Sequence, residues 1–150
     1  MRGQAAVALI SVVAMALATP AAARAASPHR CECVEFVKSY FGLRGAAGNA
    51  KDMGPYLAAH GFKRLSRPVV GAVVILQPGY YRHGEGSVYG HAGIVTAVTR
   101  LDSRHWSLRV RSANQLARPQ AALGCNNVSL KWFGPLATDS RLVSYWLPPR

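Results

Sequence analysis

Three residues set the chemical question. Cys33 stands in "RCECVEFVKSYFG", residues 30–42. His91 stands in "YGHAGIVTAV" and Asn114 in "VRSANQ". A thiol attacks a carbonyl carbon as the thiolate, so a base must take its proton. An imidazole can do this near neutral pH. A carboxamide beside the imidazole fixes its ring and tautomer without adding charge. A cysteine at a helix N-terminus also meets the positive end of the helix dipole, which predicts a lowered thiol pKa. Each residue alone has a plainer reading. A free Cys on an apolar helix edge is more often inert core, a His opening a strand more often structural, and a lone Asn more often a turn residue. The order Cys, His, Asn, each at the end of its own element, is what joins them.

The elements that must position them follow from apolar spacing. Val34, Val37, Tyr40 and Phe41 recur in steps of three and four after Cys33, the signature of one helix face. Gly42 and Gly45 stop it. Asn49 can cap a second helix through "AKDMGPYLAAH", with Gly61 as its stop and Gly54-Pro55 as an interruption. After Pro68 come "VVGAVVILQ", "HAGIVTAVT", "WSLRVRSAN", "NVSLKWF" and "LVSYWL", short and rich in Val, Ile, Trp and Tyr. The fold class is α+β: N-terminal helices packed on an antiparallel sheet or half-barrel of five to six strands. The Gly-rich, aromatic segment 78–90 leads into His91; it reads as the wall of a substrate groove or as a merely mobile loop.

Residues 91–99 and 106–114 are joined by "RLDSRH", short enough for a hairpin. If Thr99 faces Trp106, then Ala97 faces Leu108, Val95 faces Val110, Gly93 faces Ser112 and His91 faces Asn114. Arg109 and Arg111 then share the other face. A slip of one residue would send Asn114 away from His91.

Compartment decides what the cysteines can be. The chain opens Met1-Arg2-Gly3, runs uncharged through "AAVALISVVAMALA" and continues into "AAARAAS" after Pro20. A basic start, a short apolar run and Ala23-Arg24-Ala25 predict a signal peptide over 1–25, leaving one domain over 26–150. The apolar run is short of the roughly 18 residues of a spanning helix, an uncleaved anchor being the alternative. The expected location is exported, periplasmic or secreted, with no stable membrane anchor after cleavage and a monomeric chain. Lys and Arg total 18 against 6 Asp and Glu, a net charge of +12 over 150 residues. Such a surface attracts anionic envelope polymers. The basic residues are scattered and form no nucleic-acid motif, so no specific nucleic-acid partner is expected. Cys31, Cys33 and Cys125 admit a disulfide, free thiols or, with His91, a metal site. The last lacks the Cys-x2-Cys spacing of zinc sites, and a Cys31–Cys33 bridge would be strained.

The segments "CVEFV", "NAKDM", "VGAVVIL", "YGHAGIVTAV" and "VRSANQ", in this order, resemble a CHAP domain, the cysteine- and histidine-dependent amidohydrolase/peptidase group of the NlpC-type, papain-like superfamily. "NNVSLKWF" and "VSYW" continue the sheet. The resemblance implies a papain-like fold with Cys33, not Cys31, as nucleophile, His91 as general base and Asn114 orienting the imidazole. Many members carry an acid two positions before that Asn; here it is Ser112, a possible catalytic neighbour. Glu32 stands where many members are neutral and is expected to face solvent, since a carboxylate aimed inward would raise the thiol pKa. By assigning Cys33 to catalysis, the resemblance also implies a Cys31–Cys125 disulfide, which in an oxidising compartment supplies a few kcal/mol. It further implies peptidoglycan stem peptides as the partner, hydrolysis of an amide bond, and no metal or other cofactor. The alternatives are a cysteine peptidase or amidase on a non-wall substrate, and a non-catalytic wall-binding module on the same fold.

Overall fold

The computed structural model describes residues 32–80, 88–113 and 128–150. The expected signal segment, Cys31, Asn114 and Cys125 lie outside the described residues, and so does the expected disulfide. Two short helices, α1 (Cys33–Phe41) and α2 (Met53–Ala59), precede six strands. These are β1 (Lys63–Leu65), β2 (Val73–Leu76), β3 (His91–Arg100), β4 (His105–Ala113), β5 (Val128–Ala137) and β6 (Val143–Leu147). They form one sheet in the order β1-β6-β2-β3-β4-β5, every neighbouring pair antiparallel. This is the expected α+β arrangement.

Helices of nine and seven residues are too short to stand alone in water, where about 12–15 are needed. Packing holds them. Val37, Met53 and Leu57 are fully buried against Val73, Ile75, Ala92 and Ile94 of the sheet. α1 ends where expected, at Gly42 with φ 65°, and the Leu43 N–H caps the Lys38 carbonyl at 2.8 Å. The second helix starts later than Asn49 suggests. A 3-10 turn over Ala50–Asp52 comes first, and Pro55 falls in the first turn of α2, where it is tolerated.

The other face of the sheet holds its own core of Val74, Leu76, Val95, Leu108, Val110, Phe133, Leu136, Val143 and Tyr145. A flat sheet would leave that face wet. Here the sheet curls, and the Tyr145 hydroxyl on β6 donates to the Ala137 carbonyl on β5 at 2.8 Å, across three intervening strands. Arg64 pairs with Asp139 at 3.0 Å along the same closure. The result is a half-barrel with the helices outside it. Strand β1 went unseen in the sequence because "KRL" is charged and mostly exposed; it pairs at the edge with β6.

The β3–β4 register follows the expected pairing at one end only. Val95 faces Val110 and Ile94 faces Arg111. Beyond a bulge between Val95 and Ala97 the strands shift by one, so Ala97 faces Arg109 and Thr99 faces Ser107, not Leu108 and Trp106. Thr96 is the added residue, and its hydroxyl donates to the Arg109 carbonyl at 3.0 Å. The bulge lies between the hairpin turn and His91, so the turn does not set the register at the His91 end.

Tyr145→Phe removes the bond that ties β6 to β5. We expect a loss of about 1 kcal/mol in unfolding free energy, read from the denaturant midpoint; no shift would mean the closure does not depend on it.

Candidate active site

Cys33 is the first residue of α1 and His91 the first of β3, and both side chains are 8% exposed. Ala92 connects them. Its backbone amide lies close enough to the Cys33 thiol to favour the thiolate, as do those of Val34 and of Cys33 itself. The helix start is therefore seated on the peptide that follows His91. Residues of a first helical turn have N–H groups without intrahelical acceptors, so such donors converge at a helix start without cost to the helix.

Ser112 approaches the same residue from β4. Its side chain is fully buried and its hydroxyl donates to the Ala92 carbonyl. The expected catalytic neighbour Ser112 is thus a clamp on the strand. Two glycines allow this closeness. A Cβ on Gly93 would lie 2.5 Å from Val110 Cγ1 and 2.9 Å from both the Arg111 carbonyl and Ser112 Cβ. Gly90, at φ 76°, brings the chain within 2.7 Å of the Leu76 carbonyl and 3.0 Å of the Lys51 N–H, measured from where its Cβ would be. The Lys51 N–H also donates to the Tyr89 carbonyl at 2.9 Å, pinning the approach to His91 against the 3-10 turn.

His91 lies opposite Leu76 of β2 and so projects to the half-barrel face. Its ring centroid is 6.0 Å from that of Phe133 on β5. Phe133 and the main chain of Ala92 escape a reading of the sequence. Phe133 lies some forty residues from His91 in a strand whose curl no local pattern shows. The contribution of Ala92 is its backbone, for which the only hint is the small-residue setting "GHAG". Asn114 follows directly on Ala113, the last residue of β4, but lies outside the described residues. Among the described residues no three His, Cys, Asp or Glu side chains converge as a metal site would require.

The sequence matches the CHAP domain model over residues 24–114, a stretch that includes Cys33 and His91. The chain belongs to the CHAP domain family. Among solved structures, an N-acetylmuramoyl-L-alanine amidase from Staphylococcus aureus superposes with a TM-score of 0.50 at 19% identity. That match covers 79% of this chain and 31% of the amidase, so the chain spans under a third of that protein's length. At this identity the likeness is one of fold. No curated protein matches the chain in sequence.

The thiol of this CHAP domain departs from the expectation set by its helix position. Its pKa is raised, not lowered. Burial is the largest cause, because the thiolate loses its hydration. The N–H groups of Ala92, Val34 and Cys33 act the other way and are outweighed. Glu32 is exposed, as expected, yet its charge still adds to the rise.

Glu32→Gln removes the adverse charge, so the pH midpoint for alkylation of Cys33 should move down. The iodoacetamide rate below that midpoint should rise by a few-fold, since rate follows thiolate fraction. An unchanged profile would show that Glu32 is electrostatically silent. Ser112→Ala strands a buried carbonyl, and we expect a loss of about 1–3 kcal/mol in stability; an undiminished melting temperature would show that the clamp is dispensable.

Proposed function

We propose that this chain is an exported thiol amidohydrolase or endopeptidase that cleaves an amide bond in peptidoglycan, with Cys33 as nucleophile, His91 as base and Asn114 orienting the imidazole. The observation that carries the reading is the convergence on Ala92: α1 delivers a thiol to the peptide next to His91, the histidine that opens β3. Membership of the CHAP family and a fold shared with an N-acetylmuramoyl-L-alanine amidase support the substrate class. The basic composition suits an anionic envelope. The apolar N-terminal stretch and Ala23-Arg24-Ala25 support export of residues 26–150.

His91 takes the Cys33 proton as Sγ attacks the carbonyl carbon. The tetrahedral oxyanion is stabilised by backbone N–H donors at the helix start, that of Cys33 first among them. The imidazolium then gives the proton to the leaving amine as the C–N bond breaks, leaving a thioester on Cys33. His91 deprotonates a water, which attacks the thioester and releases the carboxylate and the thiol. Asn114 keeps one imidazole nitrogen aimed at the reaction throughout. Cys31 and Cys125 pair as a disulfide in this reading and leave Cys33 free.

Mass spectrometry of muropeptides released from purified peptidoglycan tests it. The wild-type chain should release fragments ending at one bond type, and folded Cys33→Ala should release none. Equal release by both proteins would sink the thiol mechanism, and a wild type that cleaves casein but not peptidoglycan would redirect the substrate.

A further inference from the structure

On β5, Lys131 lies opposite Val110 and Phe133 is the next residue on the same face, the one onto which His91 projects. The Lys131 ammonium stands 5.6 Å from the centroid of the Phe133 ring, and the His91 ring stands 6.0 Å from that same centroid. One aromatic ring thus carries the candidate base at one contact and a cation at another. Lys131 is half-buried, and the ion pairs among the described residues, Lys38–Glu35, Arg64–Asp139 and His105–Asp102, leave it without a carboxylate. Its position differs from that of the other basic residues of β4 and β5. Arg109 and Arg111 project to the opposite face, where Arg111 lies over Phe36.

We propose that Lys131 forms an anionic subsite that takes a carboxylate of the substrate peptide. This rests on the reading of the chain as an amide hydrolase. A half-buried cation held over a ring, with no carboxylate partner among the described residues, is pre-organised, so it loses little freedom on binding an acid. An extended peptide advances roughly 3.3–3.6 Å per residue. Lys131 and His91 lie 5.6 Å and 6.0 Å from the same ring centroid, so the carboxylate belongs to a residue within a few positions of the scissile amide. Peptidoglycan stem peptides offer free or amidated carboxylates at such positions, so the subsite would select between them. The choice of wall chemistry lies with Lys131, while Cys33 and His91 supply the reaction.

The test compares a soluble stem peptide bearing a free carboxylate with its carboxamide form, using the wild-type chain, Lys131→Met and Lys131→Arg. The wild type should favour the acid form by about ten- to a hundredfold in kcat/KM, the range of a charge-assisted hydrogen bond, chiefly through KM. Lys131→Met should bring the ratio between the two forms close to one, and Lys131→Arg should restore much of it. An equal loss on both forms, or a preference that survives Lys131→Met, would overturn the subsite. If the wild type hydrolyses neither form, the amidase reading falls on its own. The subsite is then judged by titrating the same two peptides into Cys33→Ala protein. Acid-selective binding lost in Cys33→Ala/Lys131→Met supports it, and binding that ignores the carboxylate overturns it.

Discussion

The site depends on how one residue of a central strand is held from two sides. The Ala92 N–H meets the thiol at the start of α1, and its carbonyl receives the Ser112 hydroxyl from β4. Neither contact involves the Ala side chain, so the site is built on backbone that the sheet already fixes. Gly90 and Gly93 flank it because any side chain there would strike the neighbouring strands or the 3-10 turn. The short helices have no independent stability to impose a position on Cys33. They inherit it from the sheet through Val37, Met53 and Leu57.

That arrangement sets the chemistry. Burying a thiol removes the water that would stabilise its anion, and the three backbone donors aimed at it only partly replace that water. The balance pushes the Cys33 pKa up. It also protects the group, since oxidation proceeds through the thiolate. In the proposed reaction activation falls to His91, whose own place is set by the β2–β3 pairing and by Phe133 across the half-barrel.

Much of this was legible in the residues. The three- and four-residue spacing after Cys33 gave α1, and short segments rich in Val, Ile, Trp and Tyr marked five of the six strands. The register near His91 could be argued from the segregation of Arg109 and Arg111 away from Val110. The bulge at Thr96 could not, because an added residue changes no composition and is revealed only by pairing. β1 could not either, since a charged three-residue edge strand carries no alternation of its own. The second core and Phe133 depend on curl, which arises from twist summed over many strands. The rise in the thiol pKa was not legible, because a helix terminus is visible in sequence and the depth of its burial is not.

The central claim, that Cys33 carries the acyl group of the substrate, is tested most directly by acid-quenching the reaction during turnover and mapping the protein by mass spectrometry. The Cys33 peptide should gain the mass of the acyl fragment, and the adduct should disappear as substrate is exhausted. Steady turnover with no adduct on that peptide at any time, or with the adduct on a different residue, would contradict it.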